Sequence, residues 1–298
     1  MRSLSAKPVI VITLVLAVVA AGAIVFTVLN KKPPEILPVA EPKVIPSGPT
    51  RAVIGRSVEG RVIESFTYGN GPTNLAFVGG IHGGYEWNSV LLSYEFMDYL
   101  DANPEVIPKN LTVTVIPSAN PDGVHKVTGK DGRFTVADVS TSKEVLASGR
   151  FNANKVDLNR NFNCKWQPKS MWQSKTVSAG TGAFSEPEAK AVQSFVLEHT
   201  PVAVVFLHSK ANAVYASECE KGILPKTLDI MNAYSKASGY SAVQSFDSYE
   251  VTGDAEGWLA SINIPAITVE LKTHETVEWE RNLAGIKALF RVLRTQII

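Results

Sequence analysis

Apolar side chains occur along this chain in two arrangements. Leu75 to Ile81 and the stretches 111–116, 202–207 and 264–271 are short, mostly apolar runs with many β-branched residues. Runs of that length predict strands buried in a sheet. The stretches 87–100, 186–199, 225–238 and 276–295 instead space their apolar positions for one face of a helix. Strand-like and helical stretches alternate, and that order predicts an α/β domain. No internal repeat and no second linker interrupts 51–298, which reads as one unit.

A different pattern occupies the N-terminus. Residues 9–29 hold no charged side chain, and a helix of that length, at about 1.5 Å per residue, crosses the hydrocarbon of a bilayer. The expectation is a transmembrane helix within an anchor segment 1–30. A cleaved signal peptide is the alternative, but its apolar core is only about 7 to 15 residues long. Here the apolar run continues past the small residues Ala20 to Ala23 as far as Leu29. A buried core helix is a third reading. Basic residues flank both ends, Arg2 and Lys7 before and Lys31 and Lys32 after, so the charge count leaves the orientation open. Residues 31–50 contain prolines 33, 34, 38, 42, 46 and 49. Such a linker is a stiff spacer that, extended at about 3.1 Å per residue, reaches about 60 Å. The folded domain is expected to begin near Arg51.

Composition narrows the partners. A chain of 298 residues with 45% apolar content is long enough for one large globular core. A net charge of +1 without basic runs excludes nucleic acid as a partner class, and a monomer is expected. The chain has two cysteines, Cys164 and Cys219. Outside the cytoplasm they are candidates for a disulfide joining two loops near the candidate site segments that hold Arg160 and His208; in a reducing compartment they remain free thiols.

Candidate chemistry gathers at the ends of the apolar runs. A catalytic zinc takes three protein ligands from His and carboxylate and keeps one position open, often with two ligands close in sequence and the third distant. His82 and Glu86 form such a close pair, and His208 follows a second apolar run. The strand-to-helix turn after Ile81 would then carry two ligands, and the end of a buried strand the third; sheet edges of this kind are where α/β sites form. The alternative role for Glu86 is electrostatic capping of the helix that follows it. Glu270 lies in an apolar strand, where an unpaired carboxylate is costly enough to suggest a purpose. His125, His199 and His274 are expected to be structural.

The stretches Gly55 to Arg61, Gly79 to Trp87, Asn120-Pro121-Asp122-Gly123, Gly149 to Ala153, Val156 to Phe162, His208-Ser209, Tyr249 with Gly253, and Thr268 to Leu271 occur in an order that resembles the zinc metallocarboxypeptidases, the carboxypeptidase A-like family. They are most similar to its bacterial branch, which includes murein peptide amidases. The resemblance implies a central mixed, twisted β-sheet with helices on both faces. It also implies one Zn2+ held by His82, Glu86 and His208, with Glu270 as the proton-transferring carboxylate. Arg150 would stabilise the oxyanion, with Arg133 as a competing cation. Asn159 and Arg160 would grip the terminal carboxylate of the substrate, and Tyr249 would close over it. Asp157 would orient His82 from behind, with Ser209 in the same supporting layer.

One departure stands out. The family spaces its first two ligands His-x-x-Glu, whereas here one more residue intervenes, in a turn containing Gly83 and Gly84 that has the backbone freedom to absorb it. Asp254 and Glu256 fall where relatives line the pocket for the released residue, so a cationic leaving residue is expected: lysine, arginine or the distal amine of diaminopimelate. The bland reading is that both acids are solvated. The resulting expectation is a single-pass, extracytoplasmic zinc exopeptidase of the cell membrane, secreted if the N-terminal segment is cleaved. It would act on peptides ending in a basic residue or on the γ-D-glutamyl-diaminopimelate bond of murein stem peptides. A zinc deacylase of small N-acyl amino acids and a non-catalytic module that binds wall peptides are the alternatives.

Overall fold

The computed structural model describes residues 48–294. The expected anchor, 1–30, and nearly all of the spacer lie outside the described residues, and no helix among those described is long and apolar enough to cross a membrane. The first described strand begins at Thr50.

The main sheet has eight strands. In chain order they are β1 (Thr50–Arg56), β2 (Val62–Gly69), β3 (Thr73–Val78), β4 (Leu111–Ile116), β7 (Ala203–Ser209), β8 (Ala213–Ala216), β11 (Ser241–Val243) and β12 (Ala266–Leu271). Two small hairpins lie outside it, β5 (Lys169–Trp172) with β6 (Lys175–Ser178), and β9 (Glu218–Cys219) with β10 (Gly222–Ile223). The strand order is β1-β2-β4-β3-β7-β12-β8-β11. Its centre, from β4 through β12, is parallel, while β1–β2, β2–β4 and β12–β8 pair antiparallel, so the sheet is mixed.

Side chains that alternate along a strand point to opposite faces, and here both faces are buried. Leu75, Phe77, Val205, Leu207, Ile267 and Val269 pack on one side against α1 (Trp87–Ala102), α5 (Pro225–Ser238) and α7 (Trp279–Arg294). Ala76, Val78, Val204, Phe206 and Ala266 pack on the other against α4 (Pro187–His199) and α6 (Ala255–Ser261). Strands covered on both faces read as continuous apolar runs, which is why β3, β4, β7 and β12 are visible in the sequence. Two short helices, α2 (Pro121–Thr128) and α3 (Lys143–Ser148), sit beside the ligand-bearing turn.

The structure moves several expected boundaries. The strand expected over Leu75–Ile81 stops at Val78 because Gly79 and Gly80 make a close passage; a Cβ on Gly79 would stand 2.3 Å from Ser93 Oγ. The strand expected over 202–207 runs on to Ser209, carrying His208 into register with Glu270 on β12. The helix expected from residue 276 starts at Trp279, because the carbonyls of Thr273 and Thr276 are taken by the side chain of Asn88.

Candidate metal and peptide site

The turn after β3 is built on glycine. A 3-10 turn over Gly83–Glu86 follows His82 and runs directly into α1. Gly83 has φ +49°, and a Cβ on it would stand 2.4 Å from Gly149 O. A Cβ on Gly84 would stand 2.4 Å from Val127, and one on Gly123 would stand 2.3 Å from Gly149 O. The additional residue between His82 and Glu86 is thus absorbed in a tight turn seated on α2 and on the end of α3.

That turn faces His208 at the end of β7. Candidate ligand atoms of His82, Glu86 and His208 all lie within 4.8 Å of one another, and the three residues are 4%, 3% and 2% exposed. Glu86 does not cap α1 with its side chain. Its Oε2 accepts from Ser209 N at 3.2 Å and lies 3.0 Å from His208 Nδ1, while Oε1 is 3.7 Å from Arg150 Nη1. His82 Nδ1 is 3.4 Å from Asp157 Oδ1, and neither atom has another partner among the described residues. Asp157 Oδ2 accepts from Arg150 Nε at 2.8 Å.

Two imidazoles and a carboxylate, all buried and converging, match the donor set of a catalytic zinc. Asp157 behind His82 is the carboxylate that usually fixes the tautomer of such a ligand. Burial, reinforced by Arg150, lowers the His82 pKa well below its ordinary value, so the ring is a neutral donor. Burial also opposes a charge on His208, but Glu86 and Glu256 outweigh it and hold that imidazole well above its ordinary value.

Glu270 sits across the strand pair from His208, its Oε2 buried without a partner among the described residues. Burial first, and then the charge of Glu86, push its pKa up to about 8.

The other wall of the cleft, whose volume is about 550 Å³, is built from 159–164 and 249–256. Asn159 Oδ1 accepts from Ala255 N at 2.8 Å. Arg160 donates from Nε and Nη2 to Met171 O at 3.1 and 2.9 Å, and from Nη1 to Asn159 O at 2.5 Å. Gly253 closes against this segment, bonding Phe162 N through its carbonyl and Cys164 O through its amide. Its φ is +73°, and a Cβ there would stand 2.2 Å from Arg160 O. Cys164 and Cys219 form a disulfide.

Of the two acids expected to await a cation, Asp254 caps α6, its Oδ2 accepting from Gly257 N at 2.7 Å. Burial, then Glu256, raise its pKa to about 6. Glu256 is 4% exposed and so is not the solvated residue of the bland reading, while Asp254 is half-buried. Glu256 Oε1 is bound by His208 Nε2 at 3.1 Å and by Thr268 Oγ1 at 3.0 Å. Tyr249 lines the cleft with its ring against Phe246, 4.8 Å between centroids.

Arg150 lies in the cleft, its guanidinium 4.6 Å from the Trp172 ring centre. Arg133, the competing cation, is bound to Asp98 through two nitrogens and covers Tyr94 outside the cleft. His125 pairs with Asp131 at 2.9 Å, and His199 Nδ1 meets Phe195 O at 3.0 Å. His274, grouped with them in the sequence, instead lines the cleft, with Ser209 Oγ 2.7 Å from its Nδ1 and its ring edge-on to Tyr85. Tyr85, Trp172, Lys210 and Thr268 also line the cleft. Only Tyr85 and Thr268 had a sequence signal, through their places inside the Gly79–Trp87 and Thr268–Leu271 motifs.

Comparison with known proteins agrees with this geometry. A family model described as zinc carboxypeptidase matches residues 45–297. The γ-D-glutamyl-L-diamino acid endopeptidase 1 of Lysinibacillus sphaericus is 26% identical over 238 residues, covering 73% of this chain and 59% of that protein. The catalytic chain of human carboxypeptidase N is 31% identical over 122 residues, 37% of this chain and 25% of that one. The chain therefore spans less than two thirds of the curated relatives it matches. Murein-tripeptide amidase MpaA from Escherichia coli O157 superposes with a TM-score of 0.59 at 22% identity, over 88% of this chain and 98% of the other. Bovine thrombin-activatable fibrinolysis inhibitor superposes with a TM-score of 0.63 at 21% identity, over 84% and 89%. With most of its length matched by the family model and the three-ligand cluster in place, the chain belongs to the zinc carboxypeptidase family, metal-dependent hydrolases of peptide bonds that use one Zn2+.

Proposed function

We propose that this chain is a zinc exopeptidase that hydrolyses the amide before a carboxylate-bearing terminal residue, with murein stem peptides as substrate. The observation that carries the reading is the placement of Glu270 in register with His208, beside the three-ligand cluster and in one cleft with Asn159 and Arg160. His82, Glu86 and His208 would hold a zinc ion, which when bound would supply a Lewis acid for the scissile carbonyl and lower the pKa of a water to about 7. Glu270 takes the proton of the attacking water and returns it to the leaving nitrogen. Arg150, fixed by Asp157 and Trp172, meets the negative charge that develops on the carbonyl oxygen. Asn159 and Arg160 hold the terminal carboxylate, for which a planar guanidinium is suited, and Tyr249 covers it.

Support for murein peptides comes from the names of two similar proteins, a γ-D-glutamyl-L-diamino acid endopeptidase and a murein-tripeptide amidase. It comes also from the acids at 254 and 256, which favour a leaving residue with a cationic side chain. The charge-free segment 9–29 and the proline-rich 31–50 fit an anchor and spacer that hold the domain outside the membrane, within reach of the wall. The test is mass spectrometry of the full chain, zinc-loaded or chelator-treated, with a murein tripeptide, a tetrapeptide and peptides ending in Lys, Arg, Phe or Leu. Zinc-dependent release of diaminopimelate, or of the piece that carries it, is the expected result. Faster release of Phe or Leu than of Lys or diaminopimelate would overturn the specificity. No cleavage with zinc bound would overturn the peptidase reading in favour of a small-molecule deacylase or a binding module.

A further inference from the structure

Asn88, near the start of α1, fixes the hydrogen atoms of a short chain of side chains that ends in the cleft. Its Nδ2 bonds two carbonyls, Thr273 O at 2.7 Å and Thr276 O at 2.9 Å. Carbonyl oxygens only accept, so this atom is the amide nitrogen and the other is Oδ1. Oδ1 in turn only accepts, and it is bonded by Ser209 Oγ at 2.9 Å, so the one hydroxyl proton of Ser209 is committed to Asn88. Ser209 Oγ is also 2.7 Å from His274 Nδ1. With its proton spent, the hydroxyl must accept there, and His274 must carry its hydrogen on Nδ1. A neutral imidazole with Nδ1–H has a bare lone pair on Nε2. The ring lines the cleft, and no described residue bonds Nε2.

The position of this acceptor relative to the metal ligands assigns it a side of the cleft. His208 presents Nδ1 to Glu86 and Nε2 to Glu256. Glu256 belongs to the wall of Asn159 and Ala255, where the leaving residue sits in the proposed function. His274 is tied through Ser209 to Glu86, the partner of the other ring nitrogen of His208. With the leaving residue on the Glu256 side, the proposed function puts the acyl part of a substrate on this one.

We infer that His274 is a specificity residue whose Nε2 accepts a hydrogen bond from an amide N–H on the acyl side of the scissile bond. The substrate class that satisfies it is an acyl residue that is itself N-acylated, as inside a peptide. The inference rests on the peptidase reading for its ligand, but its tautomer is independent of any reaction. The Asn88–Ser209 relay is what makes the site an acceptor; without it the ring is free to present N–H and would favour a carbonyl.

Two measurements on the zinc-loaded full chain test it. The ¹⁵N spectrum of the His274 ring, assigned by its loss in His274→Phe, is expected to show a protonated Nδ1 and a bare Nε2. The Nε2–H tautomer would overturn the inference whatever the protein cleaves. The second is kcat/KM on a cleaved peptide and on its analogue methylated at the acyl-side amide nitrogen. The native chain is expected to prefer the N–H substrate by about tenfold, the worth of one hydrogen bond. His274→Phe, with zinc content unchanged, should lose that preference. An equal preference in native and variant protein would assign the N–H to another group and reject His274. If no peptide in the panel is cleaved, the peptidase reading fails, and the ring spectrum still decides the acceptor.

Discussion

Glu256 Oε1 lies 3.1 Å from His208 Nε2, on the side of the ring away from Glu86. The acid that the sequence assigns to a substrate cation is therefore also the partner of a candidate metal ligand. Carboxylates behind ligating histidines typically change metal affinity by about 10- to 100-fold. We expect Glu256→Ala to weaken zinc binding by about that much in a competitive chelator titration. Glu256→Gln, which keeps an acceptor oxygen, should retain zinc more nearly while still losing any preference for a basic leaving residue. If both variants hold zinc like the native chain, the contact with His208 is incidental.

Glu86 bonds Ser209 N and faces His208 instead of capping its helix with its side chain. Glu86→Ala should consequently abolish zinc retention, read by metal analysis after dialysis, with little change in helix content by circular dichroism. Full metal content in this variant would contradict the ligand set.

Glu270 offers a test that separates binding from chemistry. Glu270→Gln preserves size and hydrogen bonding but cannot take a proton. We expect turnover to fall by about 10²- to 10⁴-fold, the usual worth of a general base, with substrate affinity and zinc content retained. A binding module would show no change in its only activity.

The same residue sets a pH dependence in metal-free protein. Burial and Glu86 raise its pKa from 4.5 to about 8. Between those values the folded state binds more protons than the unfolded one, so stability falls as pH rises through the window. The contribution is fully present below 4.5 and lost by about 8. Denaturant midpoints of chelator-treated protein should show this slope, and Glu270→Gln should flatten it. Zinc supplies a nearby positive charge and should lower the Glu270 pKa and shift the window toward acid.

The disulfide closes a loop of 55 residues between Cys164 and Cys219. On the chain-entropy estimate such a cross-link is worth about 4 kcal/mol. Cys164→Ser with Cys219→Ser should lower stability by roughly that order, measured by denaturant titration. Because Cys164 O bonds Gly253 N in the cleft wall, loss of activity at a temperature where the variant is still folded is expected as well.

The parts of this fold legible in the sequence are those where one physical signal dominates. β3, β4, β7 and β12 are buried on both faces and announce themselves as apolar runs. β1 escaped notice because much of it is exposed at the sheet edge, and β8 to β11 because they have only two to four residues each. In the site, His82, Glu86, His208 and Glu270 stand in motifs whose order along the chain carries the resemblance. His274 does not, since a lone histidine has no partner spacing to read, and its neighbours Ser209, Tyr85 and Asn88 are brought to it only by the register of β12 on β7 and the packing of α1. Glu256 showed its position but not its partner, because a contact with His208 crosses 48 residues of chain.

The glycine junction under the ligand turn divides the molecule's freedom to vary. Gly83, Gly84, Gly123 and Gly149 touch backbone or fixed side chains so closely that none has room for even a methyl group. That half of the cleft can change only if several segments change together. The 245–252 segment on the far side bears Tyr249 and contains no glycine packed in this way. New substrate preferences can therefore arise there by single substitutions while the metal half stays as it is, so an engineer seeking a different leaving residue should randomise 249–252 and leave 79–87, Gly253 and Glu256, the partner of His208, untouched.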